Sequence, residues 1–278
     1  NTLWGGIVGD DGAENIEIGQ ETSLAQTYSE FQEYIKAHKQ LGVLLTVNSK
    51  NDEKNALEGL RRPDSVLRPE DFVNIKANWE PKSMNLAETA KELALLPESF
   101  VFVDDNPAER AIVACQVPGA AVPELTGVEH YIQVLDKSGF FEVTALSQDD
   151  LQRTEMYLEN TKRSQSKASF ENYEDYLESL EMKGEIQEFA PLYLSRIAQL
   201  TNKSNQFNLT TKRYAQSEIE AVAQDPDHMT LYGRLGDRFG DNGVVSIVIG
   251  KIAGRERDEL HMELWLMSCR VLKRDMEF

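Results

Sequence analysis

Short β-type apolar runs alternate with helical patterns through the first half of the chain, and this alternation constrains the fold more than any other feature. Val43-Leu44-Leu45-Thr46-Val47 and Phe100-Val101-Phe102-Val103 read as strands, and Ala120 to Val122 as a third. Between them, Phe31 to Leu41, Asp52 to Leu60 and Ser83 to Leu96 carry apolar residues at three- and four-residue spacing, the period of an amphipathic helix. Strands alternating with helices imply a parallel sheet with crossover connections, so an α/β domain is expected over residues 1–142. From Gln148 to Leu180 the composition shifts to polar, charged helix, with a turn expected at Ser164-Gln165-Ser166-Lys167. A strand (Gly184 to Phe189), a helix (Leu192 to Lys203), two strands joined through Gly240-Asp241-Asn242-Gly243 and a strand from Leu260 to Met267 follow. Their order predicts an α+β domain with an antiparallel core over residues 143–278.

Charge narrows the partners. With 29 Lys+Arg against 47 Asp+Glu, the net charge of -18 repels nucleic acid and an anionic membrane surface, although a local basic patch can still receive a small anion. The longest apolar runs, such as Val43 to Val47 and Val244 to Ile249, fall well short of the roughly 20 residues of a membrane helix. Two cysteines far apart, Cys115 and Cys269, give no disulfide framework and suit a reducing cytoplasm. His38, His130, His228 and His261 show no metal-ligand or triad spacing.

The segment FVFVDDNPAER (Phe100 to Arg110) ends an apolar strand on paired charge. Ligands of open parallel sheets collect at the carboxyl ends of strands, and two neighbouring carboxylates approach one ion only where the backbone leaves the strand. Asp104 and Asp105 are therefore candidate Mg²⁺ ligands, against the plainer reading of a solvated acidic turn. Asn106, Pro107 and Glu109 most simply start the next helix, as cap, first residue and capping-box partner. A second strand end, LLTVNSKND, places Ser49, Lys50 and Asn51 before a helix start, where a hydroxyl and free N–H groups can cradle phosphate. Ser49 and Asn51 are equally ordinary caps. Lys82, in NWEPKS, precedes another helix and can neutralise phosphate as a point charge.

Ser at one strand end, Lys at a helix start, then a hydrophobic strand with Asp-Asp, in that chain order, resembles motifs two to four of the haloacid dehalogenase (HAD) phosphatase superfamily. The opening NTLWGGIVGDDG looks like the end of that superfamily's first motif, Asp-x-Asp-x-Thr, in the form found in FkbH-like proteins, with Thr2 its last member. The resemblance puts the nucleophilic and the acid-base aspartate just before residue 1. Asp10 and Asp11, in a Gly-bounded turn, are not expected to replace them.

NKSNQFNLTTKRY (Asn202 to Tyr214), DRFGDNGVVSIVI (Asp237 to Ile249) and WLMSCRVLKRDME (Trp265 to Glu277) continue the resemblance to FkbH-like proteins. It implies a HAD-like, Rossmann-like parallel-sheet domain over 1–142 that lacks its first strand, then a GNAT-like acyltransferase domain over 143–278, incomplete at its C-terminus. The GNAT pyrophosphate loop needs small residues where Lys273 and Asp275 stand, which puts close approach to a CoA pyrophosphate in doubt. Cys269, followed by Arg270, Lys273 and Arg274, is either an activated nucleophile or a buried structural cysteine. Cys115, on the helix after Asp104-Asp105, looks structural. Asn202, Asn205, Asn208, Thr210 and Thr211 either line a substrate pocket or serve as loop hydrogen bonding.

The function implied by the resemblance is that of FkbH-type bifunctional glyceryl transferase/phosphatases. Mg²⁺ and phosphate from a small phosphorylated acyl donor would sit on Asp104, Asp105, Ser49 and Lys82. Cys269 would accept the glyceryl group and pass it to an acyl carrier protein. Carrier proteins are commonly acidic, so docking would use a local basic surface drawn from Lys203, Lys212, Arg213, Arg270, Lys273 and Arg274. Two other readings stand beside it: a simple HAD phosphatase of a small metabolite with the second region as a specificity lid, and a non-catalytic binding module.

Overall fold

A computed structural model describes residues 1–143, 146–203, 207–254 and 256–276. The chain forms two compact units, one of residues 1–146 and 150–154, the other of residues 147–149 and 155–278.

In the first unit, helix α1 (Ser23–Gln40) starts where the Thr22 hydroxyl accepts from the Ala25 N–H at 3.0 Å. It buries Tyr28 and Phe31 against Ile16, Ile18, Leu125, Tyr131 and Leu135. Strand β1 (Leu45–Lys50) runs through helix α2 (Glu53–Arg61) into a parallel partner, β2 (Phe72–Asn78), with Ser49 opposite Ala77 and Lys50 opposite Asn78. Leu45, Leu60, Leu67 and Phe72 form the core between them. Their burial drives the crossover, because a parallel pair has no ladder until the intervening helix brings its strands together.

Strand β2 is absent from the sequence expectation, although Val73, Ile75 and Ala77 alternate with Asn74, Lys76 and Asn78. The polar set is tied to helix α3 (Lys82–Glu92): Lys76 Nζ lies 2.7 Å from Glu88 and 2.9 Å from Glu92. Phe100–Val103 and Ala120–Val122, expected as strands, make one parallel bridge between Val101 and Ala121. Its hydrogen bonds run from Phe102 N–H to the Ala121 carbonyl (2.8 Å) and from Ala121 N–H to the Phe100 carbonyl (2.9 Å). Helix α4 (Pro107–Gln116) packs Val113 on Phe102 and Leu86, and α5 (Tyr131–Lys137) closes the unit.

The second unit carries α6 (Arg153–Lys167), which begins in the first unit, and α7 (Tyr173–Ser179). Helix α6 continues through Ser164 to Ser166, where a turn was expected. Strands β3 (Lys183–Glu188), β4 (Phe207–Asn208), β5 (His228–Asp237), β6 (Gly240–Ala253) and β7 (Glu259–Met267) form one antiparallel sheet in the order β3-β5-β6-β7-β4. Helices α8 (Leu194–Lys203) and α9 (Gln216–Gln224) bring Ile197 and Ile219 against Ile247, Ile249, Leu264 and Leu266, all fully buried.

The β5-β6 turn closes earlier than expected, with Gly240 to Gly243 already inside β6. Asp237 sets it: one carboxylate oxygen accepts from the Phe239 N–H at 2.9 Å and the Gly240 N–H at 3.2 Å. The same buried carboxylate takes Arg163 Nε at 2.7 Å and Arg274 Nη1 at 3.1 Å. Burial by itself pushes the Asp237 carboxyl up, but the Arg163 hydrogen bonds, the Phe239 N–H and both guanidinium charges outweigh it and hold it below the usual carboxylate range. A carboxyl held low in the fold stabilises it fully above the unfolded value of about 3.9, and that stabilisation is lost as pH falls through the folded value. Asp237→Asn should cost about 3 kcal/mol at pH 7 by leaving two buried guanidinium groups short of charge. In urea unfolding, the gap to wild type should narrow below about pH 4; a gap that does not change with pH would contradict the assignment.

Candidate phosphate and metal site

The site gathers at the carboxyl ends of β1, β2 and the Phe100–Val103 segment, where α2, α3 and α4 begin. Lys82, the first residue of α3, places its ammonium 2.5 Å from Asp104 Oδ2, with side chains 15% and 3% exposed. A buried charge pair persists only when its remaining lone pairs are satisfied. Asp104 Oδ1 accepts from the Asn106 N–H at 2.9 Å. Arg110, itself buried, donates to the backbone carbonyls of Asp104 (2.8 Å), Asp105 (2.9 Å) and Leu125 (3.1 Å), so the turn carrying both aspartates is braced from behind.

Asp105 faces the other way and is more open. The Thr2 hydroxyl donates to its Oδ1 at 3.0 Å, which joins the opening NT of the chain to the Asp-Asp turn. The acidic field reaches Tyr131, whose phenol is pushed up to about 12 by burial and then by the charge of Asp105.

Asn106 caps α4 through the Ala108 N–H at 2.9 Å, with Pro107 at the first helical position. The expected capping box does not form: the Asn106 N–H is taken by Asp104, and Glu109 instead reaches Lys50 Nζ at 2.5 Å. Lys50, a candidate phosphate ligand, is thus held by a carboxylate that is only 11% exposed in its side chain and whose second oxygen has no partner among the described residues. Asn51 accepts from the Asp52 N–H at 2.8 Å and from Asn55 Nδ2 at 3.1 Å, but it is not the cap: α2 starts behind Asp52, which makes no side-chain cap bond. Ser49 is half-buried on β1, one residue from Lys50.

Three asparagines outside the sequence reading tie these ends together. Asn48 Nδ2 donates to the Lys82 carbonyl at 2.7 Å, and Asn85 Nδ2 bonds Asn78 Oδ1 at 2.8 Å and Asn48 Oδ1 at 3.3 Å. A polar residue at a strand end opposite a polar residue one turn into the following helix is the signal that marked them.

In the second unit Cys269 opens a 3₁₀ turn after β7 and is exposed, so it is not a buried core cysteine. Cys115 is also exposed, which corrects its reading as structural: α4 turns Val113, not Cys115, inward. Arg274 is a second correction. Its guanidinium is buried on Asp237 rather than exposed, and the backbone on either side is left-handed (Lys273 φ 63°, Asp275 φ 61°). Both positions that would need small residues thus take a conformation that favours glycine. Arg270 is half-buried with Nη1 3.0 Å from Met156 Sδ, while Arg213 donates to the Thr201 carbonyl and Lys212 pairs with Glu263 at 3.0 Å. Asn202 donates to the Ala198 and Tyr214 carbonyls (both 2.9 Å), Asn208 accepts from the Thr211 N–H at 2.9 Å and Thr210 donates to the Glu263 carbonyl at 2.8 Å: loop hydrogen bonding. Asn205 lies outside the described residues.

No family model matches the chain, and no curated protein does. One solved structure matches with 41% identity and a TM-score of 0.52: the N-terminal part of a Bacteroides fragilis protein, containing a phosphatase domain, complexed with Mg. The match covers 52% of this chain and 39% of that one. The fold is mixed α/β, with a parallel pair in one unit and a separate antiparallel sheet in the other, and it is similar over half its length to a phosphatase domain. No helix among the described residues is long and apolar enough to cross a membrane.

Exposure leaves both thiols accessible to a reagent. Titration of the native protein with a thiol-specific chromophore should consume two equivalents, matching its two free cysteines, without denaturant. A second equivalent that appears only on unfolding would contradict the exposure of Cys115 or Cys269.

Proposed function

We propose that the first unit is a Mg²⁺-dependent phosphatase domain of the HAD type. The observation that carries this reading is the convergence of Thr2, Lys82, Asp104 and Asp105 at the carboxyl ends of the strands, joined by the 2.5 Å Lys82–Asp104 and 3.0 Å Thr2–Asp105 contacts. The Mg of the similar phosphatase domain supports it.

The donor set fits the ion. Asp104 and Asp105 offer hard carboxylate oxygens, the donor type Mg²⁺ takes. Asp105, 33% exposed against 3% for Asp104, is the more accessible of the two donors, and Mg²⁺ characteristically fills its remaining positions with waters and a phosphate oxygen. When bound, the ion supplies charge stabilisation to the transferring phosphoryl group. The chain's own residues do the rest. Lys82 brings a fixed positive charge to the phosphate, the Ser49 hydroxyl donates to a phosphoryl oxygen, and Thr2 orients Asp105.

The finer reading is an FkbH-type glyceryl transferase/phosphatase, whose second, GNAT-like unit would carry the glyceryl group on Cys269 to an acyl carrier protein. The segments that carry the sequence resemblance and the exposure of Cys269 support it. Of the expected basic docking residues, Lys203, Arg213, Arg270 and Lys273 stay in the proposal.

The test is phosphate release by the full-length gene product. Chelation should abolish it and Mg²⁺ restore it, and Lys82→Ala and Asp105→Asn should each lower kcat/KM by about 10²–10³. Activity indifferent to chelation, or unchanged by both substitutions, sinks the phosphatase reading; no release at all favours a binding module. Intact-mass measurement with an acyl-phosphate glycerate donor should show a glyceryl thioester, formed as the thiol displaces phosphate from the acyl carbon, that Cys269→Ala removes. Phosphate release without an adduct leaves the simple phosphatase.

A further inference from the structure

Lys82 begins α3 behind Pro81, whose position provides no side-chain cap; the first turn closes through the backbone, from the Asn85 N–H to the Pro81 carbonyl at 3.1 Å. The ammonium meets a nearly buried carboxylate at 2.5 Å, a placement that a small shift of the helix start would undo. Further restraint comes from the two strands. Asn48, next to Ser49 on β1, donates to the Lys82 carbonyl at 2.7 Å. Asn85, three residues further along α3 and 2% exposed, bonds Asn78 at the end of β2 in both directions (2.8 and 3.2 Å) and Asn48 Oδ1 at 3.3 Å.

Burying amides costs free energy unless each finds its partners, and a satisfied network has few alternative arrangements. We infer that Asn48 and Asn85 are positioning residues for Lys82: they clamp the start of α3 to the ends of β1 and β2 and so hold the ammonium over Asp104 beside Ser49. The clamp sets the distance between the two candidate phosphate contacts, Ser49 and Lys82, because Asn48 and Ser49 are consecutive on one strand while Lys82 is bonded to Asn48.

The kinetic arm of the test rests on the phosphatase reading; the second arm does not. In full-length protein assayed with para-nitrophenyl phosphate and Mg²⁺, Asn48→Ala should lower kcat by about 10²-fold, the effect of misplacing a reacting group by about 1 Å, with KM changed less than about threefold. Added to Lys82→Ala it should cost nothing further, because it acts through Lys82. The second arm measures acylation of individual lysines by acetic anhydride and mass spectrometry, with the 83% exposed Lys54 as internal reference. Lys82 should label slowly in wild type and about tenfold faster in Asn48→Ala and Asn85→Leu, the equivalent of one lost hydrogen bond. The more conservative Asn48→Ser serves if Asn48→Ala fails to fold. Unchanged Lys82 labelling, or a full loss of kcat on top of Lys82→Ala, overturns the clamp. Absence of activity in every variant counts against the phosphatase reading and leaves the labelling to decide.

Discussion

The Lys82–Asp104 contact organises everything around it. A carboxylate 3% exposed is costly to bury without a partner at close range, and Lys82 is that partner at 2.5 Å. Because one end of the pair sits on the turn after Phe100–Val103 and the other on the first residue of α3, each element fixes the other. Arg110 secures the first through three backbone carbonyls, and the asparagines secure the second. Asp105, turned toward Thr2, is left as the more accessible carboxylate of the two.

The second unit has an analogous centre of different character. Asp237 accepts from two guanidinium groups and two backbone N–H groups, so one buried carboxylate closes a hairpin, anchors α6 and pins the segment after β7. That segment contains Arg270 and Arg274 beside Cys269, and the pinning removes Arg274 from any exposed basic surface. The Cys269 thiol, by contrast, stays exposed at the head of the turn. Charge in this protein is spent internally first: several basic residues that a count would assign to partners are bonded within the fold.

Glu109 and Lys50 show why such assignments need coordinates. In the sequence Glu109 stands three residues after Asn106, the spacing of a capping box, and Lys50 follows Ser49 at a strand end. Both local readings are sound. They fail because Asp104 already occupies the Asn106 N–H, and a carboxylate released from the cap finds an ammonium 59 residues away. Likewise β2 was legible as an alternation of Val73, Ile75 and Ala77, but its polar half is matched to acidic residues of α3 that no window of the sequence connects to it.

What the sequence by itself determined is local: an apolar strand ending on Asp104-Asp105, the Asn106-Pro107 helix start, the alternation that makes the first unit α/β, and the strand-rich second half. Each depends on residues within a few positions, where period, cap and turn chemistry act directly on the backbone. Only the tertiary structure decided which groups meet. Thr2 with Asp105, Lys50 with Glu109, Asn48 with Lys82 and Arg274 with Asp237 are separated by 103, 59, 34 and 37 residues. Those pairings follow from how buried surfaces of Leu45, Phe72, Leu86 and Val113, or Leu235 and Met267, pack together, and packing is a property of the assembled core rather than of any segment.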